Sequence, residues 1–171
     1  MAVPPRRTHI PGTYFVTSRT WESRKIFTRP TVCELFIEVL LCYRDQGSYL
    51  LHAFVLMPDH VHVLLTPGPT TTLERAVQFM KGGSSRSICQ ATHSRFPVWQ
   101  RGYSDHRIRD LQDCESHMRY IAQNPVRWRL VQSAAEYPWS SACGRFPMDE
   151  LPQGLKPLTP GVSFGTVETV P

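Results

Sequence analysis

The stretch Met57-Pro58-Asp59-His60-Val61-His62-Val63-Leu64-Leu65 decides how this chain is read. A Pro-Asp turn signal leads into an alternating run rich in Val and Leu, which predicts a strand. Successive side chains on a strand point to opposite faces, so His60 and His62 share one face and Val61, Val63 and Leu65 the other. The apolar face anchors the strand on a core. Two imidazoles held side by side on a rigid element make half of a divalent-metal site.

Working outward, residues 49–56 read as a strand apolar on both faces, hence central in its sheet, and joined to the His60 strand as an antiparallel hairpin. Residues 12–20 carry Tyr, Phe, Val and Thr and predict the first strand. Thr31-x-x-Glu34 forms a capping-box pattern, and Val32, Leu35, Phe36, Val39, Leu40 and Tyr43 follow at helical spacing, so a helix is expected over 31–46, ended by Gly47. Thr71-x-x-Glu74 opens a second helix with Leu73, Ala76, Val77 and Met80 as its stripe, expected to fray or break at Gly82-Gly83. A fourth strand is placed within 99–109. Asp110 then opens a third helix to Asn124, where Pro125 sets a boundary and starts a short helix through Val131. The order of elements predicts an α+β fold, a ferredoxin-like antiparallel sheet covered by helices. One domain is expected over 1–143, followed by a loose Pro- and Gly-rich tail over 144–171.

Bulk properties narrow the classes. The chain has 171 residues, 41% hydrophobic and 19% charged, ordinary for one globular domain. Its basic excess gives +5, and 16 of its 19 basic residues are Arg. Guanidinium forks bind phosphate bidentately and stack on bases, so the bias leans towards nucleic acid, with a solvated basic surface as the plain alternative. Five cysteines without a CxxC pair argue against a disulfide framework and fit a reducing cytosol. No signal peptide is apparent, and the longest apolar run is interrupted by Glu34 and Glu38, so no membrane span is expected.

The third helix supplies further chemistry. With Leu111, Cys114, Met118 and Ile121 as its buried stripe, Tyr120 lies about 180° from Leu111 at about 100° per residue, off the stripe where a core aromatic belongs. Asn124, four residues on, shares the face of Tyr120. A hard cation accepts amide oxygen beside imidazole. Asn124 has a competing role: just before Pro125, it suits an N-cap of the next helix.

The combination of His60-x-His62 with Tyr120-x-x-x-Asn124 resembles the HUH-superfamily single-tyrosine transposases, in particular the REP-associated tyrosine transposases. The matching stretches are MPDHVHVLL from Met57 to Leu65, Met80-Lys81-Gly82, Trp99-Gln100-Arg101-Gly102 and Asp105-His106-x-x-Arg109-Asp110. They continue in order with Tyr120-Ile121-x-x-Asn124-Pro125-Val126-Arg127 and Tyr137-Pro138-Trp139-Ser140-Ser141.

The resemblance implies an HUH-type fold in a metal-dependent endonuclease and strand transferase. Its partner would be single-stranded or hairpin DNA, cut near hairpin repeats in the bacterial cytoplasm or nucleoid, by a monomer or a homodimer. His60 and His62 match the metal ligands for Mg²⁺ or Mn²⁺, and Tyr120 matches the nucleophile that forms a 5′-phosphotyrosine. Asn124 occupies the third-ligand position, which is Gln in many relatives. Arg101, Arg107, Arg109, Arg119, Arg127 and Arg129 cluster about the third helix as phosphate-binding candidates. For His106 and His117 an ordinary, partly buried histidine is the simpler reading, and for Asp59 a turn residue or an orienter of His60. Trp99, Tyr103 and Trp128 are assigned to the core, with stacking on bases the alternative. Two rival classes stand beside this one: a catalytically silent hairpin DNA- or RNA-binding module, and an unrelated metalloenzyme using His60 and His62.

Overall fold

The alternation around His60 is realised as two different faces of one sheet. The structure, a computed structural model, describes residues 11–152. Its elements run β1 (Tyr14–Arg19), α1 (Pro30–Asp45), β2 (Tyr49–Met57), β3 (His60–Pro67), α2 (Leu73–Thr92), β4 (Ser104–Arg107) and α3 (Leu111–Arg127). The strands are ordered β2-β3-β1-β4, and every neighbouring pair is antiparallel. This is the ferredoxin-like arrangement, with a third helix added on the sheet's second face.

Val61, Val63 and Leu65 join Val16, Leu51, Phe54 and Leu56 in a core completed by α1 and α2. From α1 come Val32, Cys33, Phe36, Ile37 and Leu40, and from α2 Leu73, Ala76, Val77, Met80 and Ile88. Each large side chain removed from water there stabilises the fold by roughly 1.5–3 kcal/mol. The opposite face is smaller and mixed: Ala53, Val55, Met57 and Leu64 pack with Ile108, Cys114, Ile121 and Tyr137, beside Phe15 and Met118.

Several expectations are corrected. Pro30 begins α1 at its first turn and Arg29 is its N-cap, without the Thr31 capping box; a missing N–H costs nothing there. The N-cap of α2 is Thr72, whose hydroxyl accepts from Arg75 N at 3.2 Å. That helix does not break at Gly82-Gly83. A Cβ on Gly83 would meet Tyr43 Cε2 and Val39 Cγ1 at 2.8 Å, so the glycine lets α1 and α2 approach closely here. Nor does Pro125 end α3: it lies inside the helix, which runs on to Arg127 with Trp128 N bonded to Asn124 O at 3.1 Å. Asn124 therefore caps no following helix.

β2 is an edge strand rather than a central one. Its outer edge is covered by the returning chain, and both its faces are packed, which explains its apolar sequence. Leu56 N bonds Trp139 O at 2.8 Å, Phe54 N bonds Ser141 Oγ at 3.1 Å, and Val55 forms a bridge with Ser140. Tyr137 Oη donates to Leu56 O at 2.9 Å. The loose tail expected from residue 144 is also corrected for 144–152. Asp149 accepts from Leu51 N at 2.7 Å and donates its own N–H to Leu51 O at 2.9 Å, while Phe146 and Met148 pack on the core. Residues 153–171 lie outside the described residues.

Candidate active site

β3 brings His60 and His62 side by side on the α3 face, ring centroids 4.8 Å apart, both buried. Each ring is gripped at Nδ1. The Asp59 carboxylate accepts from His60 Nδ1 at 2.6 Å, so the Pro-Asp turn both reverses the chain and orients the first imidazole. Thr17, which pairs with His62 across β1 and β3, places its hydroxyl 2.7 Å from His62 Nδ1. The two Nε2 atoms are left as the outward donors, the usual result when a polar group outside the ligand set fixes a histidine. Burial, then the nearby charges of His60 and Arg19, push the His62 imidazole down to about 3. It is therefore neutral near pH 7, as a ligand must be.

Asp110 accepts from Asp113 N at 2.8 Å as the N-cap that starts α3. Its buried residues are Cys114, Ile121, Asn124 and Pro125; Leu111, expected on that stripe, is exposed. Tyr120 flanks the stripe, half-buried. Its ring stands edge-on to His62 with centroids 5.2 Å apart and edge-on to Phe15 at 5.8 Å. The phenol and the imidazoles thus converge within one chain. The Arg127 guanidinium lies 5.4 Å from the Tyr120 ring centre, its charge beside the phenol.

Asn124 is 1% exposed, and its Oδ1 is a buried acceptor with no hydrogen-bond partner among the described residues. Such an orphan costs roughly 1–3 kcal/mol. A buried, unpartnered amide oxygen on the helix face of Tyr120 is the kind of donor that a hard divalent cation accepts.

The six arginines are all exposed but not equally placed. Arg127 reaches Tyr120. Arg101 lines a polar groove with Thr17, Arg19, Gln100, Gly102 and Ser104, leading away from the residue that holds His62. Lys81 pins that groove's loop to α2, donating to Gln100 O at 2.7 Å and Gly102 O at 2.6 Å, which accounts for the Met80-Lys81-Gly82 step. Arg107 is turned to Pro11 O, and Arg109 sits 3.6 Å from Asp113, away from the histidine pair. Arg119 and Arg129 are exposed on and just after α3.

His106 and His117 are half-buried histidines, as expected, but they work together. Their rings stack with centroids 4.7 Å apart, and both turn a nitrogen to the Asp113 carboxylate, which accepts from His106 Nε2 at 2.8 Å and lies 3.1 Å from His117 Nδ1. These side chains form a three-residue group with ligand atoms within 4.8 Å of one another, and each is already engaged by the others. The group ties β4 to α3 and sets His117 against Phe15 at 4.7 Å. Trp99 is buried, donating from Nε1 to Ser84 Oγ at 3.0 Å, and Tyr103 packs on the same core. Trp128, assigned to the core, is instead 61% exposed.

Sequence reasoning missed Thr17, Arg19, Phe15 and Asp113. The first three sit opposite His62, His60 and Leu64 in the β1–β3 register, which a single sequence does not reveal. Asp113 was within reach: Asp113, His117, Tyr120 and Asn124 recur at helical spacings of 4, 3 and 4, a polar stripe visible in the letters.

The family model described as "Transposase IS200 like" matches residues 12–124. A REP-associated tyrosine transposase of Escherichia coli K12 is 26% identical over 151 residues, 80% of this chain and 87% of that protein. A provisional REP-associated tyrosine transposase of Haemophilus influenzae is 28% identical over 99 residues, and the match spans only 56% of that relative. The solved structure of a REP-associated tyrosine transposase bound to a REP hairpin has the same fold, with a TM-score of 0.67 at 20% identity. It covers 97% of this chain and 100% of that one.

Proposed function

Because this chain belongs to the IS200-like transposase family, we propose that it cuts and rejoins single-stranded DNA beside hairpin repeats through a covalent tyrosine intermediate. The observation that carries this reading is the edge-on approach of Tyr120 to His62, with the unpartnered Asn124 oxygen one helical turn further on.

Tyr120 Oη attacks the scissile phosphorus. The P–O3′ bond breaks, the phosphate remains on the phenol oxygen as a 5′-phosphotyrosine, the phenol gives up its proton and the departing 3′ oxygen takes one. The ester formed stores the energy of the bond broken, so a second 3′-OH can reverse the step and be joined. A neutral phenol is a weak nucleophile, so the step gains most from placement. Arg127 stabilises the phenolate as it forms. Mg²⁺ or Mn²⁺, held by His60, His62 and Asn124, would supply charge neutralisation on the phosphate oxygens. Asp59 and Thr17 keep the two imidazoles aimed. Phe15, stacked 5.2 Å from His62, excludes water from one side. The groove of Arg19 and Arg101 gives the phosphate backbone a path.

The test is incubation with end-labelled single-stranded DNA carrying a hairpin, in Mn²⁺. A labelled protein–DNA adduct that survives denaturation and disappears in Tyr120→Phe is expected. Hairpin binding without an adduct would leave a silent binding module, and metal-dependent turnover retained by Tyr120→Phe would point to a different metalloenzyme.

A further inference from the structure

Trp128 is the largest apolar side chain left in solvent among the described residues, 61% exposed, whereas Trp99 is buried in the α1/α2 core. It is not on a loose loop. Its N–H bonds Asn124 O at 3.1 Å, and the next two residues fold back, Arg129 N to Val126 O and Leu130 N to Pro125 O, both at 2.9 Å. Arg129 takes the left-handed backbone (φ 56°), a strained choice for a residue with a side chain, and it reverses the chain immediately after the ring. An indole on an ordered stretch of backbone is thereby presented at the end of the helix that carries Tyr120.

Its setting specifies what it would meet. The ring centroid lies 6.1 Å from that of His60, less than two stacked-base rises of about 3.4 Å each. Exposed Arg127 and Arg129 flank it, and the chain has no acidic residue between Glu115 and Glu136. A polyanion meets guanidinium charge there, the Asp59 carboxylate being taken up by His60 Nδ1. An aromatic face with guanidinium neighbours suits the flat π-face of an unpaired base, whose phosphate the arginines can hold.

We propose that Trp128 is a nucleobase-stacking subsite that holds an unpaired base of the cut strand, adjacent to the scissile phosphate. This rests on the DNA-cleaving reading above and extends it: the enzyme's preference for single strand over duplex arises partly here, because a paired base cannot leave its stack to reach the indole.

Binding is measured by fluorescence anisotropy on a hairpin with a single-stranded flank, using the full chain. Trp128→Ala is expected to bind roughly ten-fold more weakly, and Trp128→Phe to recover most of that loss. Neither should shift the melting temperature of the free protein, since the ring is exposed. Abasic nucleotides stepped along the flank should produce one weak position with the natural chain and none with Trp128→Ala. Equal affinity of the natural chain and Trp128→Ala, with adduct formation at Tyr120 intact, overturns the subsite and leaves the cleavage reading standing. A flat abasic scan overturns it as well, as does a loss of self-association in Trp128→Ala without change in DNA affinity, which would assign the ring to a second copy of the chain. Absence of any adduct with the natural chain brings down the cleavage reading itself.

Discussion

The two faces of the sheet, built from the same strands, divide the work of the molecule. Beneath α1 and α2, Val61, Val63 and Leu65 lie in a core made almost wholly of hydrocarbon and aromatic rings. Beneath α3, the alternate residues His60 and His62 are buried with Asn124, beside half-buried Thr17 and Phe15. Burying polar groups costs free energy wherever they are not bonded. On this face Asp59 and Thr17 offset most of the cost, and Asn124 Oδ1 remains uncompensated. The apolar face provides the stability that lets the other face hold reactive groups in an unfavourable arrangement.

The comparison can be broken in stages. The largest effect is expected from Tyr120→Phe, which should abolish adduct formation in gel assays while circular dichroism and melting temperature stay unchanged. On the other face, Leu65→Ala should cost roughly 2–5 kcal/mol in urea unfolding and leave divalent-metal affinity, by calorimetry, close to its natural value. Coupled loss of both would deny the division of labour.

A pH titration separates the faces differently. His62, pushed down to about 3, and His52, lowered by burial, both bind fewer protons folded than unfolded. In protein kept metal-free by chelator, stability should be full above about pH 6.5 and decline as pH falls towards 3, by at most about 1.4 kcal/mol per pH unit for each group. Guanidinium melts at stepped pH check this, and a flat profile would mean that His62 is not held neutral. A small stability change is expected from Asn124→Ala. Removing an unsatisfied acceptor should leave the metal-free protein as stable as before, or up to about 1 kcal/mol more so. Calorimetry on the same variant should show metal binding weakened by roughly ten-fold or more, and unchanged affinity would remove Asn124 from the ligand set.

Much of this division was legible in the letters. Strand alternation separates His60 and His62 from Val61, Val63 and Leu65 without any knowledge of the neighbours, because a period of two is a local property of the backbone. The helix face shared by Tyr120 and Asn124 is local in the same way. What stayed illegible was tertiary. Gly83 reads as a helix breaker until Tyr43 and Val39 are seen pressed against it. Pro125 reads as a helix stop, yet α3 continues through it to Arg127 with its final turn bonded. Trp128 reads as core because large aromatics usually are, and only the placement of α3 shows it facing water. The polar groups that orient the histidines divide along the same line: Asp59 adjoins His60 in sequence, whereas Thr17 lies 45 residues from His62.

The cover over β2 has a consequence beyond the fold's stability. A strand with bare amides is a template on which further copies can assemble, and this one is long and mostly hydrophobic. The segment from Tyr137 to Asp149 occupies its outer amides, while the opposite border, β4, is four residues long and carries Asp105 and Arg107. A chain cut short before Tyr137 would keep both imidazoles and the phenol, yet its freed border would recruit like molecules into aggregates.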